Sequence, residues 1–170
     1  MSTSSDARRR ILVIANATAA STAVANEVRW RARGGTTDVL VVAPLTPPPA
    51  GARPAGWDPE DVRVEAKARL QVALAALAQA GLNATGEVGD ADPLVALDEA
   101  IGRFNPDEVI IATHPPGRSQ WLAQNVVQRA RDRHRLPTTH LAVDLEQERW
   151  DSEGGAVQPP TLLDDPSEEP

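Results

Sequence analysis

Apolar residues fall in short unbroken runs, separated by longer stretches in which they recur at helical spacing. Ile11-Leu12-Val13-Ile14-Ala15, Asp38 to Ala43 and Val109-Ile110-Ile111-Ala112 are β-branched and continuous. Runs of that length are too short for helices and right for strands buried on both faces. Leu82 to Val88 is weaker and reads as an edge strand, and Thr138 to Val143 makes a fifth. Between them the period changes to 3.6. One helix is predicted from about Ala20 to Arg33, with Val24 and Val28 inward, Arg29, Arg31 and Arg33 outward, and Gly34-Gly35 ending it. A second runs from Asp61 to Ala80 along Leu70, Leu74 and Leu77, and Gly81 stops it. A third opens at Asp92-Pro93, a cap residue followed by proline at the first helical position, and carries Leu94, Leu97, Ile101 and Phe104. A fourth follows Ser119 as N-cap, with Leu122, Val126, Val127 and Ala130 inward, and ends near His134. The order β-α-β-α-β-α-β-α-β with right-handed crossovers predicts an α/β fold, a single doubly wound five-stranded parallel sheet.

Punctuation sets the boundaries. Residues 1–9 are expected to be a flexible lead-in, 10–144 the α/β domain, and 145–170 an acidic, Pro/Gly-rich tail that is disordered, most clearly from Asp151 onward, where no apolar pattern remains. Pro44 to Pro59 is a proline-rich loop; Pro47-Pro48-Pro49 favours an extended polyproline conformation, and Trp57 has the apolar area to pin it down. Such a loop reads as a tolerated surface insert or as a functional flap.

Composition narrows the chemistry. The 170 residues include one Phe, four Trp and no Tyr, so Ala, Val and Leu must build the core. There is no cysteine, hence no disulfide or thiolate metal site, and His114, His134 and His140 lack metal-ligand spacing. The net charge of −7 is concentrated after Trp150, which leaves the rest close to neutral and without the basic surface that nucleic-acid binding needs. Arg8-Arg9-Arg10 ahead of a five-residue apolar run is neither a signal peptide nor a membrane span, so a cytoplasmic protein is expected.

The chemistry concentrates at Thr113-His114-Pro115-Pro116-Gly117-Arg118-Ser119, which breaks a strand and leads to a helix. In open α/β sheets ligands bind at the carboxyl ends of the strands. A helix N-terminus there, with Arg118 beside it, would favour an anion, although a well-made strand-to-helix turn explains the same residues. His114 as a general base would need a carboxylate or hydroxyl partner, and Asn16, after strand one, is neutral. No Gly-x-Ser-x-Gly, Gly-x-Gly-x-x-Gly or Walker lysine motif is present, so no enzymatic turnover is expected.

In this order and length the chain resembles the universal stress protein family. Its members open on Ile-Leu-Val-Ala-Thr-Asp-Gly-Ser, alongside which Ile11 to Thr18 runs with Asn16 in place of the acid. They close on Gly-Thr-His-Gly-Arg-Ser, a helix, a loop with proline and a last strand; here Ala112 to Ser119 and Leu136 to Val143 match. The resemblance covers about Arg10 to Asp144. It implies strand order 3-2-1-4-5, homodimers paired through Thr138–Val143, ATP in some members, and ligand contacts at Asn16, Thr18, Val42, Thr113, His114, Gly117, Arg118 and Ser119.

The phosphate motif departs from the pattern. ATP-binding members carry Gly-x-x-Gly, nine residues, then Gly-Ser or Gly-Thr. Here the first glycine is Ala112, the second falls on Pro115 or Pro116, and the last pair falls on Gln124-Asn125 or Asn125-Val126. Proline has no N–H to offer a phosphate. Losing two charge-assisted donors at roughly 1.5–3 kcal/mol each weakens binding by about a hundred- to ten-thousand-fold. Gly117, Arg118 and Ser119 can restore part of this. Two functions remain: a stress-response module binding a nucleotide or small anion weakly and without turnover, and a protein-interaction module that keeps the fold without a ligand.

Overall fold

The computed structural model describes residues 8–119, 121 and 124–153. Its strands are β1 (Arg9–Ala15), β2 (Thr37–Pro44), β3 (Ala84–Gly89), β4 (Glu108–Thr113) and β5 (Thr138–Ala142). The described α-helices are α1 (Thr22–Arg31), α2 (Pro59–Gln79), α3 (Pro93–Phe104), α4 (Val126–Arg133) and α5 (Leu145–Ser152). All strand pairs are parallel, in the order β3-β2-β1-β4-β5. The α/β class and the strand order are as expected.

Alternation along β1 sorts the core into two layers. Ile11, Val13 and Ala15 face α1 and α2, in a cluster with Val24, Val28, Leu70 and Leu77. Leu12 and Ile14 face α3 and α4, in a cluster with Leu94, Leu97, Val126 and Ala130. The central strands are therefore apolar on both faces, which is why their sequence is continuous rather than alternating. At β3 the sheet meets its helices so closely that side chains are excluded. A Cβ at Gly89 would lie 2.7 Å from the Ala96 Cβ and 2.8 Å from the Val42 Cγ1.

Four boundaries differ from the sequence reading. First, α1 begins at Thr22 rather than Ala20, because Ala17–Ala20 forms a 3₁₀ turn and the Ser21 side chain caps the helix by accepting from the Val24 N–H at 3.1 Å. Second, α2 begins at Pro59, capped by Asp58, which shortens the preceding loop; within that loop Arg53 stacks on Trp57 at 4.2 Å from the ring centroid. Third, α4 begins at Val126, behind Asn125 in the left-handed conformation (φ 55°); Trp121 is helical as well, and the rest of the helix start expected after Ser119, with Leu122, lies outside the described residues. Fourth, the expected tail is folded over its first part. Asp144 caps α5 through the Glu146 and Gln147 N–H groups, and Leu145 packs on the core. Residues 154–170 lie outside the described residues.

At the amino ends of the strands lies a buried ionic cluster. Glu108 is 2% exposed and pairs with Arg31 and, at 2.9 Å, with Arg9. Arg31 also donates to Glu27 at 2.6 Å and to Thr139 at 2.8 Å. Burial disfavours the Arg31 charge, but Glu27 and Glu108 outweigh that and raise its pKa above the ordinary value.

Candidate functional site

The order 3-2-1-4-5 reverses direction between β1 and β4, and the chain leaves these neighbours toward opposite faces of the sheet. A crevice opens at their carboxyl ends. It is a cavity of about 220 Å³. One wall is Asn16, Ala17 and Thr18, just after β1; the other is Ala112, Thr113 and His114, at the end of β4. Arg118, Ser119 and Trp121 close it from the loop after β4, and Thr46 from the loop after β2.

Most of these groups are held by the fold itself. The Thr18 hydroxyl donates to the Ala112 carbonyl at 3.0 Å, which ties the two walls together. The Thr113 hydroxyl donates to the His114 carbonyl at 2.8 Å and lies 2.8 Å from His140 Nε2 on β5. Burial, with Arg131 in second place, lowers the His140 pKa and so favours its neutral ring. Thr46 accepts from Arg69 at 3.1 Å. Asn16 Oδ1, by contrast, is buried without a hydrogen-bond partner among the described residues. An acceptor left in that state costs about 1–3 kcal/mol, which a ligand donor would relieve.

Two groups that could meet an anion at this edge, the α1 N-terminus and Arg118, are taken up by the chain; the helix N-terminus expected after Ser119 lies outside the described residues. The α1 N-terminus, the nearest one to Asn16 in sequence, is closed: its Thr22 and Ala23 N–H groups donate to the Glu148 carboxylate at 3.2 and 3.0 Å. Arg118 donates to Asp144 at 2.7 Å and to Glu146 at 3.2 Å. Burial alone would raise the Asp144 pKa, but the Gln147 N–H and the Arg118 guanidinium outweigh it and lower the carboxyl below its usual range.

Six of the eight residues singled out from the sequence, Asn16, Thr18, Thr113, His114, Arg118 and Ser119, are brought together around the cavity. Gly117 forms the turn beside it with φ 87°, closed by the Arg118 N–H on the Pro115 carbonyl. Val42 is not among the residues lining the cavity. Its side chain is fully buried against Gly89, and it lies mid-strand, paired to Ile14 on one side and Glu87 on the other. Thr46 and Trp121 were not singled out: Trp121 comes with the segment that carries Arg118 and Ser119, and Thr46 reaches the rim because β2 lies beside β1.

The fold and this crevice define a doubly wound α/β protein with a cavity at its topological switch point. No family model and no curated protein matches the sequence. Solved structures do match. A universal stress protein family member from Burkholderia pseudomallei aligns over 79% of this chain and 96% of its own, with a TM-score of 0.54 at 15% identity. A universal stress protein solved with cAMP aligns over 81% and 99%, with a TM-score of 0.53 at 16% identity. One from Archaeoglobus fulgidus, solved with dAMP, aligns over 78% and 96%, with a TM-score of 0.50 at 16% identity. The chain has the universal stress protein fold.

Proposed function

We propose that this chain is a member of the universal stress protein family that works as a stress-response module, binding a small adenine nucleotide weakly and not turning it over. The observation that carries this is the cavity between Asn16–Thr18 and Ala112–His114, with the unpartnered Asn16 acceptor inside it. The same fold holds cAMP in one neighbour and dAMP in another. Weak phosphate binding follows from Ala112, Pro115 and Pro116 standing where the family pattern has glycine and open backbone, and from Glu148 filling the α1 N-terminus. Absence of turnover is argued from the described lining, which offers His114 no carboxylate: Asn16 stands where the family pattern has the acid. We also place the protein in the cytoplasm and pair two copies through β5; no described helix is long and apolar enough to cross a membrane.

Calorimetric titration with ATP is expected to give a millimolar or weaker affinity, and a micromolar one overturns the reading. Denaturing the purified protein and chromatographing what is released identifies any resident ligand. A second reading, a protein-interaction module that has lost its ligand, is favoured by cavity size, since 220 Å³ falls below the roughly 300–1,000 Å³ of ordinary ligand pockets. It predicts that no nucleotide is released or bound.

A further inference from the structure

The helix α5 and its cap place three carboxylates near the cavity, two of them on Arg118, which lines it. Glu148 occupies the α1 N-terminus. Asp144 is used twice: Oδ1 caps α5 through the Glu146 and Gln147 N–H groups, and Oδ2 accepts from Arg118 at 2.7 Å. Glu146 takes the other arm of the same guanidinium. Leu145, packed on the core between them, keeps this end of the helix in place. Among the described cavity-lining residues, Arg118 is the one Lys or Arg. The one full cation at the cavity therefore already faces two carboxylates of its own chain.

We propose that Asp144 and Glu146 set the charge selectivity of the cavity: by holding Arg118 they withhold it from phosphate oxygens, so the cavity takes a nucleoside or a nucleotide with one phosphate and discriminates against a polyphosphate. This rests on the nucleotide reading above. A ligand phosphate must compete for Arg118 with carboxylates already placed, and each added phosphate charge also approaches Asp144 and Glu146. The Arg118 side chain is 48% exposed and Glu146 86%. The competition is thus one of solvent-screened pairs, each of modest worth, and a ligand can win it in part.

The test is titration calorimetry on the full chain and on its D144N/E146Q variant, with adenosine, AMP, ATP and inorganic tripolyphosphate as probes. The D144N change keeps an oxygen acceptor for the α5 cap, and melting curves check that the variant folds. The unmodified chain is expected to gain no affinity from AMP to ATP. In the variant, ATP and tripolyphosphate are expected to bind about tenfold more tightly (about 1.4 kcal/mol), with adenosine unchanged. Adding R118Q should abolish the gain, and D151N/E153Q, an equal charge change farther along the chain, should not reproduce it. Should D144N/E146Q fold poorly, E146Q alone is expected to give a severalfold gain. Unchanged affinity for both polyanions, an equal gain for adenosine, or a gain that survives R118Q overturns the proposal. If adenosine, AMP and ATP bind neither chain while tripolyphosphate shows the gain, the nucleotide reading fails and the role of the carboxylates stands. If tripolyphosphate binds neither, the proposal fails as well.

Discussion

Leu97 is 2% exposed, in the cluster formed by Leu12, Ile14 and Ile111 under α3. Truncation to Ala removes buried methyls that the surrounding layer cannot replace, and is expected to cost about 2–5 kcal/mol by urea denaturation. Gly89 poses the opposite problem: a methyl there meets Ala96 and Val42 inside contact distance. Gly89→Ala should cost about 1–3 kcal/mol on the same measurement, as overpacking does. That contact also explains why Val42 belongs to the core rather than the cavity. Its position in the strand was readable from the sequence; the glycine lying on it, from a different strand, was not. His140 supplies a pH dependence. Burial and Arg131 lower its pKa, so the folded chain resists protonation that the unfolded chain accepts. The resulting stability is fully present above the unfolded value near 6.5 and is lost as pH falls through the lower folded value. Unfolding free energies between pH 7.5 and pH 5 should fall in the unmodified protein and fall less in His140→Gln.

At the scale of elements, the strands were legible because a buried parallel strand leaves an unbroken apolar run, as β1 and β4 do. Helix ends were harder. Asp92-Pro93 announced α3 correctly because the cap and the first turn are local chemistry. After Ser119 the path is harder to read: Trp121 is helical, yet α4 starts only behind Asn125, whose left-handed backbone no local pattern announces. The α5 helix escaped notice because it buries little: Asp144 starts it, Leu145 anchors it, and the rest is polar except the exposed Trp150. What fixes it is distant, the Glu148 carboxylate on the α1 N-terminus and Arg118 on Asp144. Truncation separates the two parts of the presumed tail. Ending the chain after Glu153 is expected to leave the melting temperature nearly unchanged. Ending it after Asp144 removes the charged cap of α1, worth about 0.5–2 kcal/mol, and should lower the melting temperature by several degrees.

On the scale of the whole molecule, the two ends of the sheet are chemically distinct. The amino edge is locked by Glu108, Arg31 and Arg9; the carboxyl edge holds the cavity and its unpartnered Asn16. Both were reachable only through the topology, since Glu108 and Arg31 are remote in sequence. The sheet ends at β3 and β5. On β5 the Leu141 side chain packs against the core, so a charge there would test folding rather than assembly. Ala142 is exposed at the same edge. Light scattering at high micromolar concentration is expected to find a dimer, and Ala142→Asp to shift it toward monomer; an unmodified protein that is monomeric under those conditions rules out pairing through β5.

The place of β1 in the middle of the sheet also bears on how the chain is made. Of the five strands β1 is made first, and β2 can pair with its one side soon after. Its other side belongs to β4, which is synthesised only after β2, α2, β3 and α3. Throughout that interval the nascent chain carries an open edge of Ile11-Leu12-Val13-Ile14, the most apolar segment it owns, with its backbone groups unpaired. Slow translation before Glu108 would prolong this exposure, and a chain stalled there would be the species that aggregates or recruits a chaperone. The arrangement that creates a cavity between β1 and β4 is thus also what makes the central strand wait longest for its second neighbour.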